Sequence, residues 1–302
     1  MRKLFKGLGI AVGVLLLLAV AGYGLASWKL ARASQRVYVV NDPPLVMDRS
    51  AEVIAKGAHL FATRGCTDCH GKDAGGSLFI DAGPVGVMYA PNLTSAGQLT
   101  ERHGISTPEQ FAAAIRHGVR GDGKPLLFMP SEDFRDLSDG DVAAIVAYLQ
   151  SITPSPKPSG VSHIGPMGKV LYALGKFPLY AAERIDHSSR ARPGPVVAAT
   201  VEYGKYLAQG CAGCHGANFA GQHVPGTPPD FPDSQNLTPA ALGQWSQADF
   251  RHALRAGKRP DGSAINPFMP WKIFGGMTDT EVDALWAYLQ TLPPVQSKKK
   301  GH

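Results

Sequence analysis

Charged residues are scarce in this chain, and their distribution excludes a nucleic-acid-binding surface. They make up 18% of the 302 residues, against 44% hydrophobic residues, which is typical of a globular protein and not of a disordered one. The pI of 9.1 reflects six basic residues near the two ends, namely Arg2, Lys3, Lys6, Lys298, Lys299 and Lys300. Subtracting these 6 from the 30 Lys and Arg leaves 24, which equals the 24 Asp and Glu. The body of the chain therefore has no basic stripe for phosphates, and we expect no nucleic-acid partner.

Cysteine is also scarce, and all four cysteines lie in two copies of the pentad Cys-x-x-Cys-His. A bare Cys-x-x-Cys could belong to a zinc site or a redox dithiol, but no further cysteine is present to complete a four-ligand zinc site. The pentad is the attachment signature of a c-type haem, in which two thiols bond the vinyl groups of one porphyrin and the adjacent His binds the iron. We therefore predict two covalently bound haem c groups, held by Cys66, Cys69, His70, Cys211, Cys214 and His215.

Each predicted iron needs a sixth ligand, and a Phe-Met-Pro triplet follows each pentad. A thioether favours Fe(II) and raises the reduction potential, so Met opposite His is common in cytochromes c. We predict Met129 and Met269, the central residues of the triplets, as iron ligands, whereas Met88 and Met277 have no counterpart in the other copy. A bis-His site would lower both potentials, and its candidates, none of which recurs in both copies, are His103, His117, His223 and His252.

The resemblance between the two halves extends beyond the pentads and indicates a duplicated unit. Both halves contain Asn-Leu-Thr, Phe-Met-Pro and a closing helix that ends in Ala-Tyr-Leu-Gln, in the same order. Each closing helix has a capping sequence, Ser138-x-x-Asp141 or Thr278-x-x-Glu281, followed by an apolar stripe. No alternating strand pattern is evident, so we predict a mostly helical fold. The predicted segments are an anchor at 1–30, a first domain at 50–155, a connector at 156–197, a second domain at 198–295 and a basic tail at 296–302.

The N-terminal segment is apolar enough to cross a membrane. No residue from Gly7 to Trp28 carries a formal charge, and this stretch is long enough for a helix through a hydrocarbon core of roughly 30 Å. Basic residues precede it, so the rest of the chain should cross to the outer side. The alternative is a cleaved signal peptide with a cleavage site at Ala31–Ala33. We favour an uncleaved anchor because the apolar stretch is long and the charged Lys29 lies between it and that site.

Other residues are candidates for supporting each haem. A metal-bound His usually donates its second N–H to a carbonyl, and the carbonyls of Pro91 and of Gln235 lie at corresponding places in the two copies. The candidates for bonding a propionate, which could equally form solvated helix faces, are Arg116, Arg120, Arg255, Arg259 and Trp271.

With these motifs the chain resembles the membrane-anchored dihaem cytochromes c of bacteria, and in particular the cytochrome subunits of periplasmic alcohol and aldehyde dehydrogenases. The resemblance covers both predicted domains, and Gly168–His187 resembles the inter-lobe connector of such proteins. It implies an all-α fold of two class I cytochrome c domains in tandem plus one N-terminal transmembrane helix, with His/Met ligation. Two departures are Gln235, which stands where the first copy has Pro91, and the presence of two haem signatures where dehydrogenase-linked members often have three.

The resulting expectation is an electron carrier and not an enzyme, tethered to the bacterial cytoplasmic membrane with its haem domains in the periplasm. Its donor would be a dehydrogenase or a quinol-oxidising complex, and its acceptor a terminal oxidase or a soluble cytochrome. The alternative is a catalytic dihaem protein of the peroxidase or thiosulfate dehydrogenase type. That alternative needs an open iron or a Cys ligand, whereas each copy has its own Met and no cysteine is left over.

Overall fold

The computed structural model describes residues 2–94, 98–228 and 230–297, and helices dominate them. The helices are α1 (Arg2–Ser34), α2 (Ala51–Thr63), α3 (Cys66–His70), α4 (Gln98–His103), α5 (Pro108–His117), α6 (Asp139–Ser151), α7 (Pro166–Ala173), α8 (Val201–His215), α9 (Pro239–Leu242), α10 (Gln247–Ala256), α11 (Trp271–Phe274) and α12 (Asp279–Leu289). Single 3-10 turns occur at Ser131–Asp133 and Ala181–Glu183. The strands are β1 (Ser77–Asp81), β2 (Gly86–Ala90) and β3 (His163–Ile164). Lys298, Lys299 and Lys300 of the predicted basic tail lie outside the described residues.

The two halves of the chain repeat one helix pairing. We call the half from α2 to α6 lobe one and the half from α8 to α12 lobe two. In lobe one α2 packs across α6, and in lobe two α8 packs across α12. The apolar stripe of each closing helix faces these crossings, because Val142 and Val282 are fully buried and their neighbours one and two turns on are buried or half-buried. The crossings therefore form the centre of each lobe.

The predicted caps begin both closing helices, with one difference between the lobes. Thr278 and Glu281 form a complete capping box, in which each side chain bonds the backbone N–H of the other. In lobe one Ser138 accepts from the N–H of Asp141, but the Asp141 carboxylate does not return the bond. It instead binds Lys56 at 2.6 Å and the Tyr206 hydroxyl of lobe two at 2.5 Å. The Asp141 carboxylate therefore contacts lobe two instead of completing the capping box.

The all-α prediction is correct only for the larger part of the fold, because it missed a small antiparallel sheet. The sheet has the order β1-β2-β3, and its third strand comes from the predicted connector. Burial alternates along β2, where Gly86, Met88 and Ala90 are buried while Val87 and Tyr89 are half-buried. Since the outward residues Val87 and Tyr89 are themselves apolar, this alternation is invisible in the hydropathy of the sequence.

The end of α1 belongs to the folded body. It packs against α7, and both contribute to a second buried cluster beside the sheet, formed by Ala33, Met88, Tyr172, Phe177, Leu179 and Tyr180. Helix α7, which lies within the predicted connector, contacts both α1 and strand β2 of lobe one. Among the described residues α1 is the one helix long and apolar enough to cross a membrane, as an anchor or as a signal sequence.

Candidate haem sites

Both pentads are helical. The first forms α3, and the second forms the last residues of α8. On a helix, residues three and four apart share a face, so the two thiols and the following imidazole of each pentad point the same way. His70 and His215 are buried at 8% and 7% exposure, while the four cysteine residues range from half-buried to exposed. Each pentad therefore presents two sulfurs and one imidazole to a single side.

The second nitrogen of each imidazole is held as predicted. His70 Nδ1 lies 3.0 Å from the carbonyl oxygen of Pro91, and His215 Nδ1 lies 2.7 Å from that of Gln235. In each pair Nδ1–H donates, which leaves the Nε2 lone pair free for a metal. Burial is the main reason that the pKa of both imidazoles is lowered, and the neutral imidazole is the form that binds a metal. The prediction for the two carbonyls is confirmed, and Gln235 serves as well as proline because only its backbone is used.

The repeated Asn-Leu-Thr motif fixes these carbonyls, a role that sequence reasoning missed. Asn92 Oδ1 accepts from the N–H of Thr94 at 2.9 Å, and Asn236 Oδ1 accepts from the N–H of Thr238 at 2.8 Å. The same two amides donate to carbonyls of the chain beyond each closing helix, at 2.9 Å to Ser155 and at 2.7 Å to residue 295. The sequence signal for this role was the repetition of Asn, a residue type that is usually exposed, at equivalent places in the two copies.

In lobe one three predicted haem-binding residues converge on one cavity. The cavity contains Cys66, His70 and Met129 in its lining. Its remaining walls are the side chains of Phe61, Arg64, Leu93, Ile115, Phe134, Leu137, Ile145 and Leu149. The walls are apolar except for Arg64, whose Nη2 is buried without a hydrogen-bond partner. Apolar walls with one unpaired donor fit a flat apolar macrocycle with anionic substituents.

The lobe two counterparts of Cys66 and Met129 pack against the hydrophobic core that the two lobes share. Met269 is partly buried against the same hydrophobic cluster as Cys211. Met277 is buried at 3% exposure directly before the closing helix, where lobe one has Leu137. Because Leu137 lines the lobe one cavity, Met277 has an apolar packing counterpart and not a ligand counterpart. Met88, the other unmatched methionine, lies in the second cluster beside the sheet.

Two of the alternative histidines have other partners, a third is exposed, and the Nδ1 of half-buried His103 has no hydrogen-bond partner. His117 is fully buried between Asp42 and His187, at 3.1 Å from each. His223 lies beside Asp233 and Thr227, and the other two candidates are a half-buried residue of α4 and an exposed residue of α10. The lining of the lobe one cavity contains His70 and none of these four residues.

The arginines proposed for propionates are engaged by protein groups. Arg116, which is fully buried, donates to the carbonyl of Leu137 and to Asp139 at 2.7 Å. Arg255 makes similar contacts in lobe two, to the carbonyl of Gly275, which precedes the closing helix, and to Asp279. Arg120 pairs with Asp122, and Arg259 donates to Ser263 and Ala264. Arg116 and Arg255 therefore hold the start of each closing helix in place.

The thiols lack the properties of a redox dithiol. Burial is the main cause that raises the pKa of Cys66 and of Cys211 to about 12, and that of Cys69 to about 11. A dithiol oxidoreductase needs a lowered thiol pKa, because the thiolate is the nucleophile.

The lobes meet through two equivalent hydrogen bonds between them. His59 Nε2 of α2 lies 2.8 Å from the Glu281 carboxylate, and the Tyr206 hydroxyl of α8 lies 2.5 Å from the Asp141 carboxylate. His59 and Tyr206 occupy the same place in the repeat, as do the two carboxylates. The contact is therefore self-complementary, like a two-fold dimer interface within one chain.

The interface also brings the two candidate haem sites together. A Cβ built on Gly213, inside the second pentad, would lie 2.6 Å from the carboxylate of Asp133, which follows Met129 closely in lobe one. The guanidinium of Arg64, in the lobe one cavity lining, donates to the carbonyl of Leu207 at 3.2 Å across the interface. The second pentad and the lobe one cavity thus lie on opposite sides of a single contact surface.

The His59–Glu281 pair predicts a pH-dependent contribution to stability. The hydrogen bond to Glu281 raises the pKa of His59 above its ordinary 6.5. Burial alone would raise the pKa of Glu281, but the hydrogen bonds from His59 and Thr278 lower that pKa below 4.5. The His59 contribution is complete below pH 6.5 and is lost as pH rises through the raised value. The Glu281 contribution is present above pH 4.5 and is lost as pH falls through the lowered value. We expect His59→Gln to reduce the free energy of unfolding by about 1 kcal/mol near pH 5.5, and by less as pH rises above neutrality.

Chemical denaturation of the haem-loaded protein at several pH values measures this effect. Tyr206→Phe is the matched control, because it removes the equivalent bond and burial raises the pKa of Tyr206 to about 12. Its loss of stability should not change between pH 5 and pH 8. Identical pH profiles for wild type and His59→Gln would contradict the assignment of the pair.

Comparison with known proteins agrees with this geometry. The model of the cytochrome c family matches residues 54–153 and 201–293. The cytochrome c subunit of a quinone-dependent alcohol dehydrogenase from Gluconacetobacter polyoxogenes is 29% identical over 285 residues, which cover 82% of this chain and 58% of that protein. The fructose dehydrogenase cytochrome subunit of Gluconobacter japonicus is 27% identical over 271 residues, covering 80% of this chain and 52% of that protein.

A shorter part of the chain is similar in sequence to an oxidase subunit. The Cbb3-type cytochrome c oxidase subunit CcoP of Helicobacter pylori is 30% identical over 106 residues, 35% of this chain and 30% of that protein. The chain spans little more than half the length of the dehydrogenase subunits it matches. Since the family model matches more than half of the chain in two separate regions, the chain belongs to the cytochrome c family, whose members hold haem covalently and transfer electrons, and it is similar to the cytochrome c subunits of alcohol and fructose dehydrogenases.

Proposed function

We propose that the protein carries electrons through two c-type haems, one in each lobe, and does not catalyse a substrate reaction. The observation that carries this proposal is the convergence of Cys66, His70 and Met129 on one apolar cavity. The duplication extends it to lobe two. The proposed attachment residues are Cys66, Cys69, Cys211 and Cys214, and the proposed iron ligands are His70, Met129, His215 and Met269.

The side chains suit reversible electron transfer. When bound, haem c supplies a one-electron Fe(II)/Fe(III) couple. His70 and His215 are held by backbone carbonyls, so neither ring needs to rotate when the charge changes. A thioether ligand from Met129 or Met269 would favour the reduced state and would leave no open position for a substrate. The apolar walls of the lobe one cavity exclude water from the site, which limits the solvent reorganisation that accompanies electron transfer.

The proposed setting is the outer face of the bacterial cytoplasmic membrane, with α1 as an uncleaved single-pass anchor and the haem domains, 50–155 and 198–295, in the periplasm. Three basic residues precede the apolar stretch of α1 and support this orientation. The proposed donor is a dehydrogenase or a quinol-oxidising complex, and the proposed acceptor is a terminal oxidase or a soluble cytochrome. The names of the relatives, which are subunits of dehydrogenases and of an oxidase, support partners of these kinds.

Full-length protein, produced in a host that attaches haem c and purified in mild detergent, tests the proposal. Reductive titration should consume two electrons per chain in a fully reversible manner, and hydrogen peroxide should leave the Fe(III) spectrum unchanged. An Fe(III) spectrum that shifts with peroxide, together with peroxide consumption, would instead favour the catalytic dihaem alternative. Copurification of a dehydrogenase from gently solubilised membranes would identify a fixed partner.

A further inference from the structure

Helix α7 exposes an apolar face that the haem sites do not use. Met167, Val170 and Leu174 are 51%, 38% and 66% exposed. They follow one another at i, i+3 and i+7, so they lie along one side of the helix and the residue that ends it. The opposite side is used for packing, since Gly168 and Tyr172 are buried. One side of α7 is therefore packed against the protein, and the other side is an exposed apolar face.

This helix is fixed against the end of the proposed membrane anchor. The Lys169 ammonium lies 3.4 Å from the hydroxyl of Tyr23, and the Lys29 ammonium donates to the carbonyl of Ala173 at 2.9 Å. The contact residues follow in the same order along both helices, since Lys169 precedes Ala173 on α7 and Tyr23 precedes Lys29 on α1. Helix α7 therefore runs beside α1 in the same direction, with its first turn nearer the apolar part of α1. The shared buried cluster makes the junction part of the folded core and not a loose hinge.

The depth of α7 follows from the length of α1. The uncharged segment begins at Gly7, and about 20 helical residues at about 1.5 Å each cross a hydrocarbon core of roughly 30 Å and end within one turn of Tyr23. Tyr23 therefore falls at the outer boundary of the hydrocarbon, the level that Tyr and Trp favour. Lys169 touches Tyr23, so Met167, which lies closer to the start of α7, reaches this boundary as well.

The charges around α7 suit lipid headgroups. Lys29 and Lys169 flank its contact with α1, and the exposed Lys176 follows it. Glu183, the acidic side chain that α7 itself contacts, accepts a hydrogen bond from the buried Tyr172 at 2.7 Å. Met167 lies on the membrane side of these lysines, and exposed apolar residues beside basic ones suit contact with a bilayer interface that contains anionic lipids.

We propose that the exposed face of α7 inserts into the outer leaflet beside α1, against anionic phospholipid, as a second membrane contact that does not span the bilayer. This contact rests on the proposed uncleaved anchor. It gives the haem lobes a defined orientation above the membrane, because two contacts on one rigid body prevent free rotation about a single helix.

Thiol labelling of the full-length, haem-loaded protein in nanodiscs tests this contact. Single cysteines are introduced as Met167→Cys on α7, Leu16→Cys within α1 and Val197→Cys in the connector. Val197 is the matched control, because at 61% it is exposed to a similar degree as Met167. The native thiols are bonded to porphyrin in the proposed protein, so the new thiol alone reacts with a charged, membrane-impermeant maleimide. An unchanged haem spectrum shows that each variant is folded.

We expect the thiols at positions 16 and 167 to react at least about tenfold more slowly than the thiol at 197 in nanodiscs of phosphatidylcholine with phosphatidylglycerol. Protection at 167 should weaken when phosphatidylglycerol is omitted, and equal protection would overturn the anionic-lipid part of the proposal. If 167 reacts as fast as 197 while 16 stays protected, the α7 contact is wrong and the anchor stands. If 16 also reacts fast, the anchor itself is wrong.

Discussion

Met129→Ala is expected to abolish the long-wavelength charge-transfer band of a sulfur–Fe(III) bond in lobe one and to lower the reduction potential of that haem. Axial ligands set haem potentials over a range of about 0.8 V, and loss of the thioether should cost on the order of 0.1–0.3 V. Met129 is the methionine in the cavity lining that also contains Cys66 and His70. Spectroelectrochemical titration measures both effects, and Met269→Ala should act in the same way on the other haem.

Met277→Leu is the matched control for this experiment. Met277 is buried where lobe one has Leu137, so the substitution copies the other lobe and should leave both bands and both potentials unchanged. If the band survives in the Met129→Ala, Met269→Ala double variant, or disappears with Met277→Leu, the ligand assignment is wrong.

Gly204→Ala is expected to disrupt lobe two where α8 crosses α12. A Cβ at this position would lie 1.8 Å from the carbonyl oxygen of Ala284, so the two helices would have to separate. The expected loss in the free energy of unfolding is about 3 kcal/mol or more, the upper part of the range for overpacking. The same argument applies to Gly57→Ala in lobe one, where the Cβ would lie 2.0 Å from the carbonyl oxygen of Ala144.

The control lies on the same helix. A Cβ at Gly210 meets nothing within 4 Å, so Gly210→Ala should be neutral or stabilise by about 0.4–1 kcal/mol through the entropy of the unfolded chain. Denaturation of the haem-loaded proteins, and the yield of haem per chain on expression, report the difference. Equal stabilities of the two alanine variants would show that the crossing is looser than the structure has it.

Local signals predicted much of this fold. The capping residues Thr278 and Glu281 predicted the start of α12, and the apolar spacing of Val142 and its neighbours predicted the buried side of α6. The pentads predicted the cofactor class, and the repeat predicted two equivalent lobes. These features depend on residues within a few turns of one another, so a single sequence contains them.

Features that depend on distant partners were beyond the sequence. The His59–Glu281 contact joins residues 222 apart in the chain, and neither residue has a local pattern that indicates the other. Strand β3 is two residues long and pairs with β2 from the connector, so its sequence is too short to show a periodicity. The packing of α7 on α1 was not predicted, because the exposed apolar residues of α7 resemble an ordinary core stripe.

The central claim is that each lobe covalently holds one haem, and the intact mass of the full-length protein after acidified organic extraction tests it most directly. Thioether bonds survive this treatment, whereas a haem held only by its iron ligands is lost. The account predicts the mass of the polypeptide plus two haems, and plus one haem for the Cys66→Ala, Cys69→Ala variant. The mass of the bare polypeptide, with the pigment in the organic phase, would contradict it.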